Sequence, residues 1–136
     1  MARIKAREVA FQLLFEDTFG TNTAREMFDS LFEEEQEWKK INETDLEYIQ
    51  WLRNTAKQHV DELNTIIARF ANGWTIERMN RIDLSILRLA LCEILYREDV
   101  TAATAINEAV ELAKRYSSEE GPSFINGILG AFVRSL

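Results

Sequence analysis

The stretch from Arg81 to Tyr96 constrains this chain more than any other. Ile82, Leu84, Ile86, Leu87, Leu89, Ala90, Leu91, Ile94 and Leu95 leave almost no polar face when wound at helical spacing. A helix that is apolar nearly all round is not stable on the surface of a small domain. It belongs at the centre of a bundle, wrapped by amphipathic neighbours.

Those neighbours are legible too. A helix from about Ile4 to Asp17 turns Ala6, Val9, Ala10, Leu13 and Leu14 inward. A second, capped by Thr21, Asn22 or Thr23, carries Ala24, Met27, Phe28 and Leu31. A long third opens at Thr44-Asp45. Its stripe of Leu46, Ile49, Leu52 or Arg53, Ala56, Val60, Leu63, Ile67 and Phe70 predicts about seven unbroken turns. Asn72-Gly73 stops it. Trp74 then fits as a hydrophobic staple ahead of a Thr75 cap on a short turn, Ile76 to Met79. Two further stripes close the chain. Ile106, Ala109, Val110, Ala113 and Tyr116 form one; Phe124, Ile125, Ile128, Leu129, Phe132, Val133 and Leu136 form the other. Glu119-Glu120-Gly121-Pro122 separates them, with Pro122 suited to a helical first turn. Asp99-Val100-Thr101 is too short for a strand. The expected class is all-α, with about six to seven helices.

The chain has 136 residues, enough for one domain with a real core. No apolar run approaches the ~20 residues of a membrane span. Arg3 to Arg7 followed by Val9 to Phe15 imitates a signal peptide, but Gln12 interrupts the run, Glu16-Asp17 end it, and no small-residue cleavage site follows. Cys92 is a single cysteine, so no intrachain disulfide forms and a reducing cytoplasm is the simplest compartment.

Catalysis has little foothold. His59 is the only histidine, and Asp61 and Glu62 stand at the wrong offsets for a carboxylate–histidine metal pair. Cys92 sits in an apolar stretch and reads as a small hydrophobe. There is no glycine-rich phosphate loop, paired-cysteine metal site or nucleophile elbow. Trp38, Trp51 and Trp74 read as packing residues rather than a ligand cage. The chain reads as a non-enzyme without cofactor or metal.

A net charge of −7 argues against a general nucleic-acid coat, but the distribution matters more than the total. Arg3, Lys5 and Arg7 open the chain with no acid among them, whereas carboxylates dominate from Glu26 to Glu47. The run Glu33 to Glu37 is a solvated helix end or an interaction patch. Arg3 and Arg7 share a helix face that continues through Phe11 toward Phe15. Cations leading to an aromatic suit single-stranded nucleic acid: phosphates take the charges and a splayed base stacks. The competing reading makes the basic arm a solvated terminus and both phenylalanines core. Arg81, Ser85, Arg88 and Cys92 share another face, on the greasy central helix. Arg88 there is costly unless it pairs with Asp83, Glu93 or a carboxylate of the first helix, or emerges beside that helix.

Four blocks in order carry a family likeness: Ala6 to Phe15; Trp74 to Met79 with Leu87 to Ala90 and Glu93 to Leu95; Ile106 to Lys114; and Phe124 to Leu129. Together they resemble the NusB family of transcription antitermination factors over nearly the whole chain. The resemblance implies one domain of two small packed bundles, about 1–72 and 73–136. It implies binding of boxA RNA, a single-stranded element of ribosomal RNA leader transcripts. The implied partners are NusE, a ribosomal small-subunit protein, and the RNA polymerase antitermination complex. Carried over by position, RNA contacts fall to Arg3, Lys5, Arg7, Arg88, Ser123 and Phe124, and the partner surface to the central helices, with Asp83 the leading residue. Two departures bear on RNA affinity: many relatives have a denser arginine cluster at the start and a basic residue in place of Ser123. Three or four cations would give a salt slope of only about −2 to −3, so a coupling of about 1–3 kcal/mol from NusE is expected to supply the remainder. The rival readings are a protein adaptor without RNA contact, a helical homodimer, and a fragment of an RNA methyltransferase. The last needs a glycine-rich cofactor turn after a strand, which these residues lack.

Overall fold

A computed structural model describes residues 2–19 and 42–136, with side chains from residue 4 onward. The expected helix through Ala24 to Leu31 and the run Glu33 to Glu37 lie outside the described residues. Six α-helices are described: α1 Ala2–Asp17, α2 Glu43–Gln58, α3 Val60–Phe70, α4 Arg81–Tyr96, α5 Ala102–Tyr116 and α6 Gly121–Arg134. A 3-10 turn at Ile76–Arg78 precedes α4, and no strand occurs among the described residues.

Helix α4 is the hub. It packs against α1, α2, α3, α5 and α6, and Ile86, Leu87, Leu89, Ala90, Leu91 and Cys92 are fully buried. Its start is set by Asn80, whose side chain accepts from the Asp83 backbone N–H at 2.7 Å, which satisfies an otherwise orphaned donor of the first turn. Thr101 caps α5 in the same way, accepting from Thr104 N–H at 3.1 Å.

Two expectations need correction. The stripe from Leu46 to Phe70 is not one helix. The chain bends at His59 (φ −110°, ψ 20°) into α2 and α3. Helix α2 faces α1 and α4, while α3 faces α4 and α6; one straight rod could not serve both sets of neighbours. The His59 ring stacks on Tyr96 of α4, centroids 4.3 Å apart. Hydrophobic spacing stays in phase across the bend, so periodicity could not reveal it. The second correction is a rotation of α5. Its buried residues are Ala105, Ala109, Leu112 and Ala113, whereas Ile106 and Val110 are only half-buried. Alanines on that face let α5 lie close to α6, which buries Ile125, Ile128, Leu129 and Phe132.

Between α3 and α4 the backbone turns through Asn72 (φ 45°) and Gly73 (φ 90°). Two successive left-handed residues end α3 abruptly. Trp74, just past the stop, has no helix to carry it inward and is 52% exposed.

Candidate nucleic-acid interface

The basic arm does not present Arg7. That residue is only 4% exposed. Its Nε donates to Glu93 Oε1 at 2.8 Å and its Nη2 to Glu93 Oε2 at 2.9 Å, the two-point geometry that fits guanidinium to carboxylate. Glu108 approaches Nη1 at 4.0 Å, and Glu93 itself is completely buried. Burial by itself would lower the Arg7 pKa, but the Glu93 hydrogen bonds and charge outweigh it and hold the group above its ordinary value. The expectation that Arg7 contacts RNA is therefore corrected: its cation is spent inside the fold.

Neighbouring residues on α1 are tied down in the same manner. Glu8 accepts from Arg115 Nη1 at 2.7 Å and from the Tyr116 hydroxyl, and Gln12 Nε2 donates to the Tyr116 oxygen at 3.2 Å. Burial and the bond to Glu8 push the Tyr116 phenol up to about 12. Phe11 is core, 5.1 Å from the Tyr116 ring, so it offers no stacking surface. Lys5 is half-buried on α1. Arg3 belongs to α1, but its side chain lies outside the described residues.

Arg88 occupies different surroundings. Its Nε and Nη2 both donate to Asn64 Oδ1, at 3.1 and 2.9 Å, and none of the carboxylates expected from the sequence takes it. It lines a groove of about 490 Å³ beside α1, with Leu14, Asp17 and Thr18. Arg7 and Arg88 share no partner, so the sequence-level idea of one merged patch is not what the fold builds.

The start of α6 is better placed for recognition. Ser123 is exposed and Phe124 half-exposed. The Phe124 ring meets Trp74 edge-on, centroids 6.0 Å apart, and the two border a cleft of about 140 Å³ with Asn80, Asp83, Ser118 and Glu120. Asp83 is 5% exposed, contrary to its expected role as an outward partner contact. Asn80 Nδ2 donates to its Oδ2 at 2.9 Å and the Ser117 hydroxyl to its Oδ1 at 2.5 Å. The carboxylate thereby clasps the α5–α6 connection to the start of α4. Gly121 makes that clasp feasible, because a Cβ there would sit 2.0 Å from the Ser117 Oγ.

Trp74 was missed as a surface residue by sequence reasoning. The signal available was its position directly after a two-residue left-handed stop. Among the described residues, no group of three or more His, Cys, Asp or Glu side chains is arranged to hold a metal ion, and no helix is long and apolar enough to cross a membrane.

Comparison with known proteins places this architecture. The NusB family model matches residues 4–134. The transcription antitermination protein NusB of Symbiobacterium thermophilum is 41% identical over 100% of this chain and 92% of its own length. That of Acetivibrio thermocellus is 40% identical over 98% of this chain and 90% of its own. Among solved structures, one of antitermination factors NusB and NusE in complex with dsRNA superposes with a TM-score of 0.80 at 27% identity, covering 99% of this chain and 98% of that one. T. maritima NusB superposes with a TM-score of 0.81 at 26% identity, covering 97% and 90%. Matched from the first turn of α1 to the end of α6, the chain belongs to the NusB family.

Proposed function

We propose that this chain is a transcription antitermination factor, a cytoplasmic non-enzyme that binds boxA-type single-stranded RNA of ribosomal RNA operons together with NusE, within an RNA polymerase antitermination complex. The observation that carries this reading is the match, over nearly the full length, to a NusB solved with NusE and RNA. The chain works as one domain whose halves, about 1–72 and 73–136, meet on α4.

The RNA-facing residues in this reading are Arg3 and Lys5 on α1 and Ser123 and Phe124 at the start of α6, with Trp74 added. Trp74 and Phe124 offer ring area to an unpaired base, and stacking of that kind is worth about 1–3 kcal/mol per base. Asp83 acts on NusE through the α4–α6 clasp rather than by direct contact. With Arg7 withdrawn, at most about three cations remain and the salt slope should be near −2. So shallow a slope marks a weak electrostatic site, which is why NusE is needed.

Fluorescence anisotropy of labelled boxA RNA, with a scrambled control, tests the proposal. NusE should tighten boxA binding by roughly 5- to 150-fold. Equal affinity with and without NusE would remove the cooperative element, and equal affinity for scrambled RNA would remove sequence recognition. The burial of Arg7 favours one alternative, an adaptor that holds NusE without touching RNA. Trp74→Ala with Phe124→Ala separates the two, since an adaptor keeps its NusE affinity and has no RNA signal to lose. Sedimentation with and without RNA tests for a homodimer.

A further inference from the structure

The groove between the C-terminal end of α1 and helices α2, α3 and α4 has no role in the reading above. Three cationic side chains line it, Arg53 and Lys57 from α2 and Arg88 from α4, against a single lining carboxylate, Asp17. Thr18 and Asn54 add neutral hydrogen-bonding groups, and the space measures about 490 Å³. On a chain of net charge −7 such a local excess of positive charge is unusual.

Pairing inside the groove is incomplete. Arg53 is engaged: its Nε and Nη2 donate to the Asp17 oxygens at 2.8 and 2.6 Å, leaving Nη1 to spare. Arg88 reaches only the neutral Asn64 oxygen, through Nε and Nη2. Among the described residues no carboxylate lies within ion-pair distance of Arg88 or Lys57. Burial accordingly pulls the Arg88 guanidinium below its ordinary value. A half-buried guanidinium without a counter-charge is costly, and an anion entering the groove would meet its unused Nη1 donors beside the Lys57 ammonium. Arginine and lysine together are the usual means of gripping phosphate, one by a planar fork and one as a point charge.

We propose that this groove is an anion site that takes a phosphate group, held by Arg88 and Lys57 with Arg53 and Thr18 at its rim. The site is separate from the cleft at the start of α6. Arg88 lies five residues beyond Asp83, about 7.5 Å further along α4, and the two cavities share no lining residue. The phosphate can come from a free phosphorylated small molecule or from the backbone of a bound RNA. The chemistry is the same for both.

Amide NMR of the full chain, titrated with pyrophosphate at matched ionic strength, tests the site. Saturable shifts at Thr18, Asn54 and Lys57 are expected. Lys57→Gln should weaken them about three- to tenfold and Arg88→Gln about tenfold or more. Lys57 is exposed, so its variant should fold normally and keeps the test decisive even if Arg88→Gln is destabilised. Non-saturable shifts, or shifts equally strong around Arg69, Arg78 and Arg134, would overturn the proposal. A second titration with single-stranded RNA identifies the source. Shifts at Thr18 and Lys57 alongside those at Ser123 and Phe124 assign the phosphate to the transcript; groove shifts with pyrophosphate alone assign it to a free anion. Loss of RNA shifts at Phe124 with groove shifts retained would defeat the antitermination reading while leaving the anion site standing.

Discussion

Arg7 and Arg88 are the same residue type, both withdrawn from solvent against α4, and they have opposite circumstances. Arg7 meets a fully buried glutamate in two-point geometry, with a second acid close by. Arg88 meets one neutral amide oxygen and opens into a groove. The first arrangement is closed, since charge cancels charge and no ligand is wanted. The second leaves a charge unanswered. A basic residue in a sequence motif is therefore not yet a ligand contact; which acid the fold brings to it decides.

The largest expected effect tests the closed half of this comparison. Arg7→Ala leaves Glu93 charged and buried without its partner, and urea denaturation should show a loss of about 3–5 kcal/mol. Replacing the pair together, as Arg7→Met with Glu93→Leu, should restore most of that loss, because the penalty lies in the orphaned charge. A fall in RNA affinity in the stably folded double variant, with NusE binding unchanged, would show that Arg7 reaches the transcript after all.

Asp83 is an intermediate case, a buried acid held by neutral donors. Gly121→Ala places a methyl against Ser117 Oγ and should displace that donor, at a cost of about 1–3 kcal/mol. Because the clasp sets the start of α6, the same variant should weaken RNA binding more than Gly127→Ala, where a Cβ meets nothing within 4 Å.

Arg88→Met should change stability by about 1 kcal/mol or less, since only a neutral partner is lost. A loss comparable to that of Arg7→Ala would erase the distinction between the two arginines.

The smallest effect concerns Cys92, which feels both sites. Burial first, then the charge of Glu93, pushes its thiol up to about 12, while Arg88 pulls the other way. The folded state thus favours the neutral thiol. The stability this contributes is complete below the ordinary thiol pKa near 9 and is lost as pH rises toward about 12. A thiol reagent at pH 8 should leave the native protein unmodified and label it readily in denaturant.

Much of the fold is legible in the residues themselves. The bounds of α4, the stop at Asn72-Gly73, the caps at Asn80 and Thr101 and the helical position of Pro122 all follow from local chemistry, which acts within a turn or two of chain. The bend at His59 does not, because the apolar stripe runs through it in phase. The site was less legible still. Phe124 and Ser123 were found through a family likeness, and Trp74 emerged only when its exposure was seen. Arg7 and Glu93 stand 86 residues apart, and nothing local announces their meeting.

Hydrophobic spacing, caps and breakers determined by themselves that this chain forms helices around a greasy central one, since those signals depend on neighbours within a few residues. The tertiary structure alone decided which charges are cancelled and which remain open. Electrostatic partnership depends on distances of a few ångströms between side chains far apart in the chain, and such distances exist only once the helices have packed.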